Sequence, residues 1–227
     1  RDRGIRLTTT PDVLTDDVAD TAIMLMHATL RQLVLGDDWV RSGKWAANGP
    51  MALTRSVRGK KLGIVGLGRI GKAIASRAVP SGVEVGYFGR NKKDVAYRFF
   101  DDLMALATWS DILVLSCPGG AATNGIVNEA VLDALGKDGV LINIARGSVM
   151  DEPALIRALQ HGLIAGAGLD VFENEPDIDP AFANLDNVVL YPHLASGTME
   201  TRDAMGQLVV DNLEAWDERQ ELITPLV

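Results

Sequence analysis

The chain has a single cysteine, Cys117, among its 227 residues, so no disulfide can form within it and a reducing, cytoplasmic setting is expected. Basic residues are outnumbered, 22 Lys and Arg against 30 Asp and Glu, for a net charge of −8. A nucleic-acid surface needs clustered Lys and Arg, so no nucleic-acid partner is expected. No apolar run approaches the roughly 20 residues that cross a bilayer, and no leader pattern opens the chain, so no membrane partner is expected either. Histidines number only three, His27, His161 and His193, which narrows the search for proton chemistry. No metal site is expected.

What is present is enough apolar sequence for a sizeable core, 47% of the chain, organised around one stretch. Lys61-Leu62-Gly63-Ile64-Val65 reads as a short buried strand, Gly66-Leu67-Gly68 as a tight turn, and Arg69-Ile70-Gly71-Lys72-Ala73-Ile74-Ala75 as the start of a helix. This is G-x-G-x-x-G in a strand–turn–helix setting, the opening of a dinucleotide-binding βαβ unit. Gly66 permits the turn, Gly68 lets the backbone approach a pyrophosphate, and Gly71 lets helix and strand pack closely. The helix N-terminus, with Arg69 and Ile70, offers unpaired N–H groups to the phosphates.

The rest of the chain alternates in the same manner, predicting a doubly wound parallel α/β sheet. Residues 5–8 read as a short strand. Asp12 to Asp17 are placed to cap an apolar helix over Val18–Leu35, too apolar to be solvated and so buried or at a subunit interface. A loop with Trp39 and Trp45 follows. Strands are expected at 83–88, 95–98, 111–116, 139–144, 164–170 and 187–190. Helices are expected to about Pro80 and at 101–109, 128–135, 151–161 and 199–217. Arg1-Asp2-Arg3-Gly4 read as the tail of a helix, so a preceding segment is expected in the natural protein. The domain reading is 1–12 as the remnant of a second, smaller domain, 13–198 as the dinucleotide-binding domain with a dimerisation segment over 18–50, and 199–227 returning to the second domain.

Ligands of an open α/β sheet sit at the carboxyl ends of its strands. Cys117 and Pro118 end one strand. Arg146 follows another, with Ala145 before it. Asp170 and Glu175 follow a third, and His193 a fourth. A cation, a carboxylate and an imidazole beside a nicotinamide supply the parts for reducing a 2-oxo acid. The cation holds the substrate carboxylate, the imidazolium gives a proton to the developing alkoxide, and the carboxylate orients the ring and keeps it charged. The residues alone do not separate Glu175 from Glu173 in the same acidic loop. His27 reads as a packed residue, His161 as a helix C-terminal residue favoured by the dipole, and Cys117 as a small buried turn residue. At the end of the second strand, Arg90-Asn91-Lys92-Lys93 stand where an NAD site usually has an acid, and no acid follows until Asp94. The planar fork of Arg90 suits a 2′-phosphate, so NADP(H) is expected over NAD(H).

The phrases Asn143-Ile144-Ala145-Arg146-Gly147, Gly166-Ala167-Gly168-Leu169-Asp170-Val171-Phe172-Glu173-Asn174-Glu175-Pro176 and Pro192-His193-Leu194-Ala195-Ser196-Gly197-Thr198 resemble the D-isomer-specific 2-hydroxyacid dehydrogenases. Within that family the chain is most similar to the glyoxylate/hydroxypyruvate and hydroxyphenylpyruvate reductases, from about Ile5 to the end. The resemblance implies Arg146 as substrate-binding and catalytic, His193 as acid/base, Glu175 as its partner, and Asp170 near the nicotinamide. It implies a homodimer, with the tryptophan loop reaching across it, and a small 2-oxo or 2-hydroxy acid as substrate. It also implies a further half-domain before Arg1, supplying most of the substrate site, so a chain beginning there is expected to bind cofactor with an incomplete site. A cofactor-binding, non-catalytic relative resembling the family's corepressors is the alternative; a Rossmann methyltransferase is disfavoured by the missing ribose-binding acid.

Overall fold

A computed structural model of the chain describes residues 5–226; the reading of Arg1–Gly4 as a helix tail lies outside the described residues. In chain order the elements are α1 (Thr15–Leu30), α2 (Leu33–Arg41), α3 (Lys44–Asn48), β1 (Lys61–Val65), α4 (Arg69–Ala78), β2 (Glu84–Phe88), β3 (Arg98–Phe100) and α5 (Leu103–Trp109). There follow β4 (Ile112–Leu115), α6 (Glu129–Leu135), β5 (Val140–Asn143), α7 (Glu152–Gln160), β6 (Gly166–Leu169), β7 (Val188–Leu190) and α8 (Met199–Arg219). The strands form one seven-stranded sheet in the order β3-β2-β1-β4-β5-β6-β7, every pair parallel. The chain starts at the centre, runs outward to β3, returns to β4 and runs outward again to β7. The reversal between β1 and β4 opens a crevice at their carboxyl ends.

Both faces of the sheet are covered, which is why its strands read as unbroken apolar runs. Side chains still alternate along each strand. Ile112, Val114 and Ile142 face α1 and α4, packed with Leu62, Ile64, Leu25, Met26 and Ile74. Leu113, Leu115 and Leu141 face the other layer, packed with Leu106, Leu132, Leu155 and Phe182. Each such side chain, removed from water, stabilises the fold by about 1.5–3 kcal/mol before entropy is counted. Helices α5, α6 and α7 start at side-chain caps, Asp102, Asn128 and Asp151, each accepting a backbone N–H one turn on.

Local departures from the sequence expectations have visible causes. The apolar stretch Val18–Leu35 breaks at Gln32, whose left-handed φ of 48° turns the chain into α2. The core face of α1 (Val18, Ala19, Ala22, Leu25, Met26) is buried against the chain's own sheet, so apart from Met24 the exposed large apolar residues of this region lie further on, at Leu33, Val34, Val40 and Trp45. The tryptophan segment is helical, with Trp39 in α2 donating Nε1–H to Gly49 O at 3.0 Å and Trp45 in α3. No Asp caps α1, whose N-cap is Leu14. Asp17 instead accepts hydroxyl hydrogens from Thr198 and Thr201, each at 2.5 Å, and ties α1 to the start of α8. Pairing of β3 begins at Arg98 opposite Gly86, later than expected, because the chain first loops past the end of β2. Of residues 5–8 only Thr8 makes a bridge, an antiparallel one with Pro225.

Candidate active site

The glycine turn has the geometry its sequence requires. Gly66 takes φ +97°, a region closed to other residues, and a Cβ there would lie 2.8 Å from the backbone of Cys117. A Cβ on Gly71 would lie 2.3 Å from Gly66 O. Ser116 fixes the same carbonyl by donating its hydroxyl at 2.7 Å. Gly68 has open space where its Cβ would be, and α4 begins after it with no side-chain cap, so the first N–H groups of the helix are unshared.

Two adjoining cavities run along this edge of the sheet. One, about 650 Å³, is lined among others by Thr15, Gly68, Arg69, Ile70, Ile144, Ala145 and Arg146. The other, about 510 Å³, is lined among others by Gly66, Phe88, Arg90, Asn91 and Ile126. Gly68, Cys117, Pro118, Gly119 and Gly120 border both, making one groove across the switch point. Its open Gly68, uncapped helix end and basic terminus fit a phosphorylated dinucleotide: N–H groups for the pyrophosphate at the middle, Arg90 for a 2′-phosphate at one end. Arg69 leaves its side chain at the rim, paired with both carboxylate oxygens of Asp12 at 2.8 Å. Cys117 is buried, and burial pushes its thiol up.

A second cluster stands at the ends of β6 and β7. His193 Nδ1 lies 2.5 Å from Glu175 Oε2; with the carboxylate ionised, the ring N–H must be the donor. The other Glu175 oxygen accepts the Phe172 N–H at 2.8 Å, so the carboxylate is seated from both sides. Glu173, its neighbour in the loop, turns its backbone N–H to Glu152 at 2.9 Å and is exposed. His193 has a left-handed φ of 48°, and its N–H donates to Asp170 O at 2.8 Å. The Asp170 carboxylate accepts from Leu194 N at 2.8 Å and Ala195 N at 3.3 Å, one and two residues past the imidazole. Burial pushes that carboxyl up, while the two N–H groups and His193 oppose the shift.

Arg146 is extended and exposed at the end of β5, its stem over Gly119 and its Nη1 donating to Ala145 O at 2.5 Å. It lines the groove; His193 and Glu175 border instead an apolar pocket of about 380 Å³ with Phe172, Ile178 and Tyr191. Buried Asn143 joins the two groups. Its Nδ2 donates to Arg146 O, its Oδ1 accepts Ala145 N–H, and its backbone carbonyl accepts Asp170 N–H. Sequence reasoning passed over Asn143, although one polar residue inside Val-Leu-Ile-Asn-Ile is itself a signal of a buried hydrogen-bond hub. It also passed over Ser116 and Glu152. Burial pushes the Glu152 carboxyl up, the Glu173 N–H it accepts opposes this, and the charges of Glu173, Asp179 and Glu175 add to the rise. In sequence Glu152 looks like any first-turn acid. Among the described residues no group of three or more His, Cys, Asp or Glu is placed to hold a metal, and no helix is long and apolar enough to cross a membrane.

The chain is similar to known proteins along its whole length. Glyoxylate/hydroxypyruvate reductase A of Arabidopsis thaliana is 53% identical over 228 residues, covering all of this chain and 72% of that protein. Hydroxyphenylpyruvate reductase of Plectranthus scutellarioides is 51% identical over 227 residues, with the same coverage of 100% and 72%. The crystal structure of an NADPH-dependent glyoxylate/hydroxypyruvate reductase from Sinorhizobium meliloti, in complex with NADP and malonate, superposes with a TM-score of 0.96 at 49% identity, again covering 100% of this chain and 72% of that one. Residues 23–195, a span that holds all seven strands, match the NAD binding domain of one family. The chain belongs to the D-isomer specific 2-hydroxyacid dehydrogenases.

Proposed function

We propose that the protein reduces a small 2-oxo acid, of the glyoxylate or hydroxypyruvate kind, to the D-2-hydroxy acid with NADPH. The observation that carries this reading is the His193–Glu175 pair, 2.5 Å apart and fixed to the strand ends beside the dinucleotide groove. Bound NADPH supplies the hydride. Arg146 holds the substrate carboxylate and draws electron density from the ketone oxygen. His193 holds a proton at Nε2, since Nδ1 is committed to Glu175, and passes it to that oxygen as the alcohol forms. Glu175 orients the ring through its contact with Nδ1. Gly66, Gly68, Arg69, Ile70 and Gly71 hold the pyrophosphate, Cys117, Pro118 and Ala145 line its path, and Arg90 with Asn91 takes the adenosine end. Asp170 shapes the nicotinamide end through the turn it holds. The NADPH dependence named for the Sinorhizobium relative supports the cofactor choice.

The test is NADPH oxidation by the intact protein with glyoxylate and with hydroxypyruvate, followed by chiral analysis of the product. Turnover to the D-hydroxy acid is expected. Cofactor binding without turnover of any 2-oxo acid would favour the non-catalytic, corepressor-like reading.

We propose further that the protein is a homodimer through α2 and α3, whose Leu33, Val34, Val40 and Trp45 stay 57–61% exposed in one chain. A stable monomer in light scattering at micromolar concentration would contradict this. Residues 7–9 pair with 224–226, not with the sheet, which supports grouping the segments outside 13–198 as a unit of their own. The lone, buried Cys117 supports a reducing, cytoplasmic setting.

A further inference from the structure

The cations at the end of β2 stand on a segment with little to hold it. Among the described residues, Gly89, Arg90, Asn91 and Lys92 make no hydrogen bond or ion pair with the rest of the chain. The segment is anchored at its start, where Phe88 O accepts Gly66 N–H at 2.9 Å. At its far end the anchor is one side chain. Lys93 N–H donates to the Tyr87 hydroxyl at 2.7 Å, and that hydroxyl reaches back to Lys93 O at 3.4 Å. Tyr87 is 1% exposed, and its ring packs tilted on Phe99 with centroids 5.3 Å apart. A hydroxyl sunk this deep must find a partner, and here its partners are both on the loop.

Arg90, Lys92 and Lys93 lie within four positions of one another with no carboxylate paired to them among the described residues. Their mutual repulsion favours an open, moving loop, and an anion recruited by such a loop must also order it. A tie at Lys93 fixes the span in advance.

We propose that the Tyr87 hydroxyl is a positioning group for the Arg90 loop, and through it a determinant of the preference for NADPH over NADH. The proposal rests on the reading of Arg90 as the 2′-phosphate ligand. NADH, lacking that phosphate, gains nothing from the loop's order, so the effect of losing the hydroxyl is confined to the phosphorylated cofactor. Tyr87→Phe is the cleanest probe, because it keeps the ring against Phe99 and removes only the oxygen.

The experiment titrates the wild-type chain, Tyr87→Phe, Arg90→Ala and the double variant with NADPH and, separately, NADH. Tyr87→Phe is expected to weaken NADPH about three- to tenfold and to leave NADH within about twofold. Arg90→Ala is expected to weaken NADPH about ten- to a hundredfold, and adding Tyr87→Phe to it is expected to cost nothing more, since the two act through one contact. Equal weakening of both cofactors by Tyr87→Phe, an unchanged NADPH affinity, or a fully additive double variant would each overturn the Tyr87 role while leaving Arg90 standing. If Arg90→Ala weakens both cofactors alike, the Arg90 reading falls and the proposal with it. Amide exchange in the wild-type chain needs no variant: Lys93 N–H is expected to be protected relative to Arg90 and Asn91, and exchange at their rate would also overturn the tie.

Discussion

Asp170 and Leu194 are joined side chain to backbone, Oδ1 accepting the Leu194 N–H at 2.8 Å, and this bond closes the turn in which His193 takes its left-handed conformation. Asp170→Ala would leave the N–H groups of Leu194 and Ala195 without acceptors, at about 1–3 kcal/mol for an unpartnered buried group. We expect a fall in stability and a larger fall in kcat than in cofactor affinity. The titration of Asp170 gives a second check. Burial raises its carboxyl, so its contribution to stability is present below the unfolded value of about 3.9 and is lost as pH rises through the folded value. The advantage of wild type over the non-titrating Asp170→Asn is therefore expected to be greatest at the acid end of a denaturation series. An advantage that grows with pH would reverse the assignment.

Replacing Glu175 by Gln removes the carboxylate that lies 2.5 Å from Nδ1 and orients the His193 ring. A fall in kcat for reduction is expected, larger than any change in cofactor affinity, and His193→Ala should abolish both reduction and the reverse oxidation with cofactor binding retained. An unchanged kcat in the Gln variant would take Glu175 out of the proton path.

The Asp17 carboxyl is held below its ordinary range by the Thr198 and Thr201 hydroxyls, against a small opposing effect of burial. A lowered carboxyl contributes stability above its unfolded value, and that contribution is lost as pH falls through the folded value. Asp17→Asn is expected to be less stable than wild type at neutral pH and to converge with it in acid. Denaturant melts across that range measure it directly; curves that stay parallel would show that the hydroxyl contacts add nothing.

Two alanine substitutions in the glycine turn should behave differently. At Gly68 nothing lies within 4 Å of the new Cβ and φ is −82°, so the chain should fold with nearly unchanged stability. NADPH binding should nonetheless fall at least about tenfold, because the methyl group stands where the pyrophosphate approaches. At Gly71 the Cβ meets Gly66 O at 2.3 Å, so stability itself should drop. Normal NADPH affinity in Gly68→Ala would place the phosphates elsewhere.

Strand positions were legible because doubly covered strands must be apolar throughout, as Ile-Leu-Val-Leu at 112–115 is. The glycine turn was legible because its residue types answer to backbone geometry. Gln32 was not, since a left-handed glutamine carries no mark in sequence and interrupts a stretch that is apolar on both sides. The Glu175–Glu173 choice depends on which carboxylate the loop 172–175 turns toward β7, and that is set by Glu152 from another helix. The role of Asp17 was equally hidden, because its partners Thr198 and Thr201 lie 181 and 184 residues away in the chain.

Helix α1 has 16 residues, a rod of about 24 Å. Leu14 and Thr15 at its near end border the dinucleotide groove, and beyond Leu30 at its far end the chain continues through Gln32 into the exposed α2. One face of the rod is clamped to the sheet along its length. It is a strut held to the sheet, with the groove rim at Thr15 at one end and the exposed α2 beyond the other.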